Sequence, residues 1–141
     1  MKRIILVLIF LSIMGCGKKA DTDLSKNYKV IKDDKGISNT DNLGLALTRK
    51  IIIAINTKAS KDDIATFSRQ LRAKYLSPEY HRGMISITIY DDEAAAKKDE
   101  EEDHEIALIS FCPDGNRFDV KWFNNKNSGG ETLIKEEKFT H

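Results

Sequence analysis

The segment KIIIAINTKASKDDIATFSRQLRAKY, residues 50–75, decides the fold. Its first part, KIIIAIN at 50–56, is apolar on both faces of an extended chain, which predicts a strand in the interior of a sheet. Residues 60–75 then carry apolar side chains at helical spacing, which predicts an α-helix. The segment therefore predicts a domain in which a helix packs on a sheet.

The predicted helix has a clear beginning and a clear end. Ser60 can accept a hydrogen bond from the first turn, and Asp63 takes the capping-box position three residues later. Its apolar stripe consists of Ile64, Phe67, Leu71 and Tyr75. Ser77 and Pro78 end the helix, because the residue before a proline is pushed out of helical space.

The flanking segments add further strands. MISITIY at 84–90 alternates apolar and polar residues, and the segments 106–112 and 117–122 flank the turn sequence PDGN, which predicts a hairpin. A short strand is expected at 28–34, a loop at 35–44 and a short helix at 91–98. The prediction is an α+β domain with a two-layer mixed β-sheet and one long amphipathic helix on one face. Strands 50–56 and 84–90 are parallel if they and the helix form a crossover unit.

The N-terminus has the pattern of a targeting signal. Lys2 and Arg3 precede an apolar run from Ile4 to Met14 that only Ser12 interrupts. A membrane-spanning helix needs about 20 apolar residues, whereas the apolar part of a signal peptide has about 7–15. The run has eleven residues, which favours a cleaved signal over a membrane span. A buried core helix is disfavoured because the run has no polar face.

Ile13-Met14-Gly15-Cys16 resembles the lipobox of bacterial lipoproteins, in which an aliphatic residue at −3 and a small residue at −1 precede an obligatory cysteine. The resemblance implies cleavage between Gly15 and Cys16 and a diacylglyceryl thioether on Cys16. Two or three acyl chains anchor a protein stably, because each buried CH₂ contributes about 0.8 kcal/mol. The main alternative is a secretory signal that is cleaved without lipidation.

The same resemblance implies a location and partners. The chain would belong to the bacterial cell envelope, anchored to a membrane on its non-cytoplasmic side. Gly17 rather than aspartate follows Cys16, which allows an outer-membrane location. The expected partners are the membrane, through the lipid on Cys16, and an envelope protein. With Cys16 acylated, Cys112 has no partner for an intramolecular disulfide.

These elements predict four regions along the chain. They are a signal peptide at 1–15, the lipidated cysteine and a flexible tether at 16–27, a small α+β domain at 28–124 and a polar C-terminal tail at 125–141. The leader cysteine, the Ile-rich strand, the capped helix and the hairpin together resemble small bacterial lipoproteins of uncharacterised function, and that resemblance implies no activity.

The charge balance argues against nucleic acid as a partner. The chain has 23 basic and 22 acidic side chains, and removal of residues 1–15 takes away Lys2 and Arg3, leaving 21 basic and 22 acidic. A nucleic-acid-binding protein usually has a clear basic excess.

Two clusters of ionisable or nucleophilic residues are weak candidates for chemistry. The acidic run at 99–105 offers oxygen ligands for a hard cation, but its consecutive carboxylates repel one another and no central glycine shapes a loop. Cys112 with His104 is a candidate thiol and base. If both lie on one strand they are about 26 Å apart at 3.3 Å per residue, so they cannot touch, and a buried cysteine is the simpler interpretation.

The third candidate is the Tyr80-His81-Arg82 segment, which follows Pro78 in a predicted loop. An aromatic ring, an imidazole and a guanidinium could bind an anion there, whereas an ordinary polar surface is the simpler interpretation. No phosphate-binding glycine loop, nucleophile elbow or zinc pattern occurs. We therefore expect no metal and no cofactor.

These observations predict a lipid-anchored binding or interaction module without catalytic activity. Its working surface would be a sheet face or strand edge that the helix leaves uncovered. One alternative is a small envelope enzyme that uses the Tyr80–Arg82 loop or Cys112, which a polar pocket around those residues would favour. The other is a structural spacer, which would have no concave or apolar patch.

Overall fold

The Ile-rich segment lies inside a six-stranded sheet in the computed structural model of the chain. The structure describes residues 23–40, 44–76, 83–99, 102–112, 116–123 and 130–138. The strands are β1 Tyr28–Thr40, β2 Gly44–Ile55, β3 Met84–Tyr90, β4 Glu105–Phe111, β5 Arg117–Trp122 and β6 Glu131–Glu137. The helices are α1 Lys61–Tyr75 and α2 Glu93–Lys98, with short 3₁₀ turns at Leu24–Lys26 and Glu102–His104.

The strands follow one another across the sheet in the order of the sequence, from β1 to β6. β2 and β3 are parallel, with Ile51 opposite Ile87 and Ile53 opposite Ile89. The other four neighbouring pairs are antiparallel. α1 makes the crossover between the two parallel strands, as a parallel pair requires. The α+β class, the mixed sheet, the parallel pair and the β4–β5 hairpin are confirmed.

α1 packs on one face of the sheet, here called the core face. The residues buried there include Ile51, Ile53 and Ile55 of β2, Ile85, Ile87 and Ile89 of β3, and Ile64, Phe67 and Leu71 of α1. Each of these isoleucines is 0 % exposed. Full burial of such a side chain contributes about 1.5–3 kcal/mol, so this layer supplies most of the hydrophobic stabilisation.

The predicted cap of α1 is confirmed. The Ser60 side chain accepts a hydrogen bond from the Asp63 N–H at 3.2 Å, and the Asp63 carboxylate accepts one from the Ser60 N–H at 2.8 Å. The two bonds satisfy donors that the first turn of a helix leaves unpaired, and such a cap contributes about 1 kcal/mol.

The opposite face, here called the open face, is covered at one end only. α2 places Ala95 and Ala96 against Ile52, Ala54 and Tyr90, and these five residues form a second, smaller core cluster. Asp92 caps α2 by accepting a hydrogen bond from the Ala95 N–H at 2.8 Å. A six-residue helix is about 9 Å long, so it cannot cover a strand of β2's length.

The loop predicted at 35–44 is instead largely strand. β1 continues to Thr40 and β2 begins at Gly44, with Ile37 opposite Leu47 and Gly36 opposite Thr48. The prediction was wrong because the segment is polar and has no alternating pattern. Its backbone forms a strand because a partner strand lies beside it, and side-chain pattern does not report on that.

Two further boundaries differ from the prediction. Residues 131–137, assigned to the polar tail, form β6, in which Ile134 lies opposite Val120 and is 6 % exposed. Leu24, assigned to the tether, is 3 % exposed and belongs to the main core. A single apolar side chain in each polar segment is enough to attach that segment to the domain. Such an isolated residue produces no periodic pattern, so the sequence does not identify the segment as part of the fold.

We predict that Ile134→Ala lowers the free energy of unfolding by about 2–4 kcal/mol, because it leaves a cavity in the core. Thr132→Ala, at an exposed position of the same strand, should change it by less than about 0.5 kcal/mol. Urea unfolding measures both. If 131–137 were a frayed tail, the two substitutions would have equally small effects.

Candidate functional site

The open face contains a groove of about 500 Å³ beyond the end of α2. Its lining includes the hydroxyls of Thr48, Ser86 and Thr88 and the apolar side chains of Met84 and Leu108. These residues come from β2, β3 and β4, and all occupy positions that alternate with the buried isoleucines of the core face.

Strand register brings polar residues into a row across this face. Lys50 lies opposite Ser86, Ser86 opposite Ser110, and Ser110 opposite Asp119. Asp34 extends the row on the other side of Lys50. Because directly opposite residues share a face, the row places two hydroxyls between two charged ends.

The charged groups of the row are all paired. Lys50 Nζ lies 2.6 Å from Asp99 Oδ2, Lys32 Nζ lies 2.9 Å from Asp34 Oδ2, and Arg117 forms an ion pair with Asp119. The hydrogen bond to Asp34 raises the pKa of Lys32 above its ordinary value. Lys35 and Arg49 also line the groove, and Arg49 forms an ion pair with Asp33 at 2.6 Å. The groove therefore offers hydroxyls and apolar contacts beside charged groups that are held in ion pairs.

α2 is fixed beside the groove by a three-residue charge cluster. Glu93 Oε1 accepts hydrogen bonds from Lys29 Nζ of β1 at 2.6 Å and from Lys97 Nζ at 2.8 Å. These bonds favour the ionised carboxylate. They lower the pKa of Glu93 to about 2, with the hydrogen bond from Lys29 as the largest cause.

A second groove, of about 580 Å³, lies at the end of the sheet where β2 finishes. Trp122, Phe123 and Ile106 supply apolar contacts, and Asn56 and Asp91 lie at its polar side. Lys61 Nζ sits 4.9 Å from the centre of the Trp122 ring and pairs with Glu131 of β6. The Trp122 ring thus already makes a cation–π contact within the chain.

The thiol and the imidazole considered as a catalytic pair lie at opposite ends of β4. His104 precedes the strand, and its Nδ1 lies 2.8 Å from Asp91 Oδ1. Cys112 follows the strand, is half-buried, and donates its backbone N–H to the Arg117 carbonyl at 3.0 Å. The seven-residue strand between them alone spans about 20 Å, so the two side chains cannot touch, as the sequence predicts.

The described residues of the acidic run at 99–105 belong to different elements. Asp99 ends α2 with a left-handed backbone and binds Lys50, whereas Glu105 opens β4. Among the described residues, no group of three or more histidine, cysteine, aspartate or glutamate side chains could hold a metal ion.

Two sets of predicted site residues lie outside the described residues. These are the cleavage and lipidation residues Gly15 and Cys16 and the loop residues Tyr80, His81 and Arg82. Their roles stay predictions.

Sequence reasoning identifies Ser86 and Thr88 only as the non-core positions of β3. It does not identify the groove, because the neighbours of those hydroxyls follow from the register of β2 and β4. Pairing register is not encoded in the pattern of a single strand.

No protein-family model, curated protein or solved structure matches this chain. Among the described residues, none of the helices combines the length and the apolar composition that crossing a bilayer requires.

We predict that an NMR titration of the side-chain carboxyl carbons gives Glu93 a pKa of about 2 and that Lys29→Met raises it towards the ordinary value. Because the folded-state pKa is depressed, the stabilising contribution of Glu93 is complete above its unfolded pKa and is lost as pH falls towards 2. Thr66→Met, at an exposed position of α1, is the control and should leave this pKa unchanged. An unshifted pKa in the wild-type chain would contradict the charge cluster.

Proposed function

We propose that this chain is a lipid-anchored cell-envelope protein that acts as a non-catalytic binding module through the groove of its open face. The anchor is the lipid on Cys16, after cleavage of residues 1–15. The observation that carries the binding role is a sheet face covered at one end by α2 and grooved beyond it.

The attachment of Leu24 to the core supports a short connection between anchor and domain. The six residues 17–22 separate Cys16 from Asp23, where the described structure starts. Six residues reach about 20 Å when fully extended. Anchored at Cys16, the domain would stay next to the bilayer, and its effective concentration for envelope partners would be high.

The chemistry of the groove favours a segment of an envelope protein as the ligand. Met84, which is 40 % exposed, and the half-buried Leu108 offer apolar contacts beside the hydroxyls of Ser86 and Thr88. A peptide segment presents the same mixture of apolar side chains and neutral hydrogen-bonding groups. A strongly charged ligand would have to displace the ion pairs that hold Lys50 and Asp34.

We predict that mass spectrometry of the mature protein finds Cys16 as the first residue, carrying a diacylglyceryl group. The Cys16→Ala variant should keep residues 1–15 and lose the lipid, because the thiol that receives it is absent. Cys112→Ala is the matched control and should be processed and lipidated normally. A mature chain with an unmodified Cys16 would overturn the anchor and leave the groove untested.

We predict that a photo-crosslinking benzoylphenylalanine in place of Ser86 captures a discrete envelope protein in intact cells. The same group in place of Gln70, on the exposed side of α1, should not capture it. Leu108→Lys should weaken the Ser86 adduct, since it places a charge in the groove. Identical adducts from both positions, or an adduct indifferent to Leu108→Lys, would count against the groove as the binding surface.

A further inference from the structure

The hairpin of β1 and β2 continues past the rest of the sheet. β3 first pairs with β2 at Thr48, whereas β1 and β2 remain paired as far as Thr40 and Gly44. Residues 37–40 and 44–47 therefore form a two-stranded ribbon, here called the arm, beside which the described part of the chain places no third strand. Two-stranded ribbons alone are marginally stable in water.

The arm exposes an apolar cross-strand pair. Ile37 is 67 % exposed, and Leu47, directly opposite it on β2, is 39 % exposed. Both side chains lie on the core-face side of the sheet. Leu47 is two residues before Arg49 on β2, and Arg49 stacks on Tyr75 at the end of α1. Single exposed apolar residues are common on protein surfaces, whereas two adjacent ones on a projecting ribbon form a contiguous apolar patch that a partner could cover.

The outer edge of β1 changes character where the arm begins. β1 is the first strand of the sheet, and in the described ranges no strand pairs with its outer edge. The consecutive charged residues at 32–35, KDDK, protect that edge against a further strand, as charges on edge strands commonly do. The next five residues, Gly36 to Thr40, carry no charge and no proline. The edge is thus protected along the sheet and unprotected along the arm.

We propose that two copies of this chain pair through their arms, with β1 antiparallel to β1 of the second copy and Ile37 opposite its own counterpart. With a two-fold axis through Ile37, both copies contribute the same surface to the interface. Lys35 then lies opposite the Asn39 position of the second copy, and Asp34 opposite Thr40. The inference goes beyond the proposed function and does not depend on the lipid anchor.

Charge disfavours a register centred on the charged segment 32–35. A two-fold axis between Asp33 and Asp34 would set these two carboxylates against each other and Lys32 against Lys35. Like charges directly opposite in a sheet are destabilising. An axis at Ile37 brings no two charges together and continues the apolar pair, so that Leu47, Ile37, Ile37 and Leu47 form one row across four strands. A contact of this length buries a small area. We therefore expect a reversible dimer whose fraction increases with protein concentration.

Disulfide formation at the axis tests the register. The background is the full chain with Cys112→Ser, expressed in membranes, so that Cys16 is its only native cysteine. Directly opposite residues in an antiparallel pair have Cα atoms about 4.5–5.5 Å apart, within the roughly 4.4–6.8 Å of disulfides. Ile37→Cys should give a strong dimer band under oxidation that a reductant removes.

Lys32→Cys is the matched control, on the same strand and also exposed. In the proposed register, position 32 of one copy lies opposite residue 42 of the other, which is in the segment that joins β1 and β2. Lys32→Cys should therefore give no more dimer than the background. Equal dimer from both variants, no dimer from Ile37→Cys, or an adduct of Ile37→Cys with a different protein would overturn the proposal.

Light scattering of the purified full chain in detergent tests the dimer without cross-linking. As protein concentration increases, the measured molar mass of the protein should rise from that of one chain towards that of two. Ile37→Lys should keep it at one chain, because two lysines would face each other at the axis. Gln70→Lys, an exposed control with the same charge change, should behave as the wild type. A wild-type chain that stays monomeric at all concentrations would overturn the proposal while leaving the lipid and groove experiments unaffected.

Discussion

The fold depends on the parallel pairing of β2 and β3 beneath α1. Parallel neighbours cannot be joined by a tight turn, so the chain has to cross over the sheet between them. The crossover helix covers the isoleucines that point to one side of both strands. The crossover therefore determines which face of the sheet is buried. The remaining strands join this pair by antiparallel pairing on either side.

The same requirement produces the asymmetry of the domain. A fifteen-residue helix covers the core face and a six-residue helix covers one end of the other. The uncovered area is not left apolar, because the alternation of β3 places Ser86 and Thr88 there. Ion pairs such as Lys50–Asp99 hold the charges around it. The open face is therefore compatible with water and still has groups that a partner could bind.

The sequence predicts the elements that carry their own periodicity, namely β2, α1, β3 and the β4–β5 hairpin. It does not predict elements that depend on a partner. In β6 the adjacent apolar residues Leu133 and Ile134 show no alternation, since a register shift in the β5–β6 pair falls at this point. The β1 half of the arm is mostly polar and shows no alternation, so its strand conformation is seen only from its pairing with β2. The groove requires the register of three strands at once, and the loop at 80–82 lies outside the described residues.

The order of the strands also bears on how the chain can fold. Each strand pairs with those next to it in sequence, so the sheet can grow from its N-terminal hairpin one strand at a time, although the parallel pairing of β3 with β2 requires the long crossover through α1. Every growing sheet exposes a pairing edge until its last strand arrives. Here that strand is β6, whose Glu131, Lys135, Glu136 and Glu137 make it a poor template for another strand. Pairing of a further strand with this side of the sheet is therefore disfavoured beyond β6, the last strand in the described part of the chain.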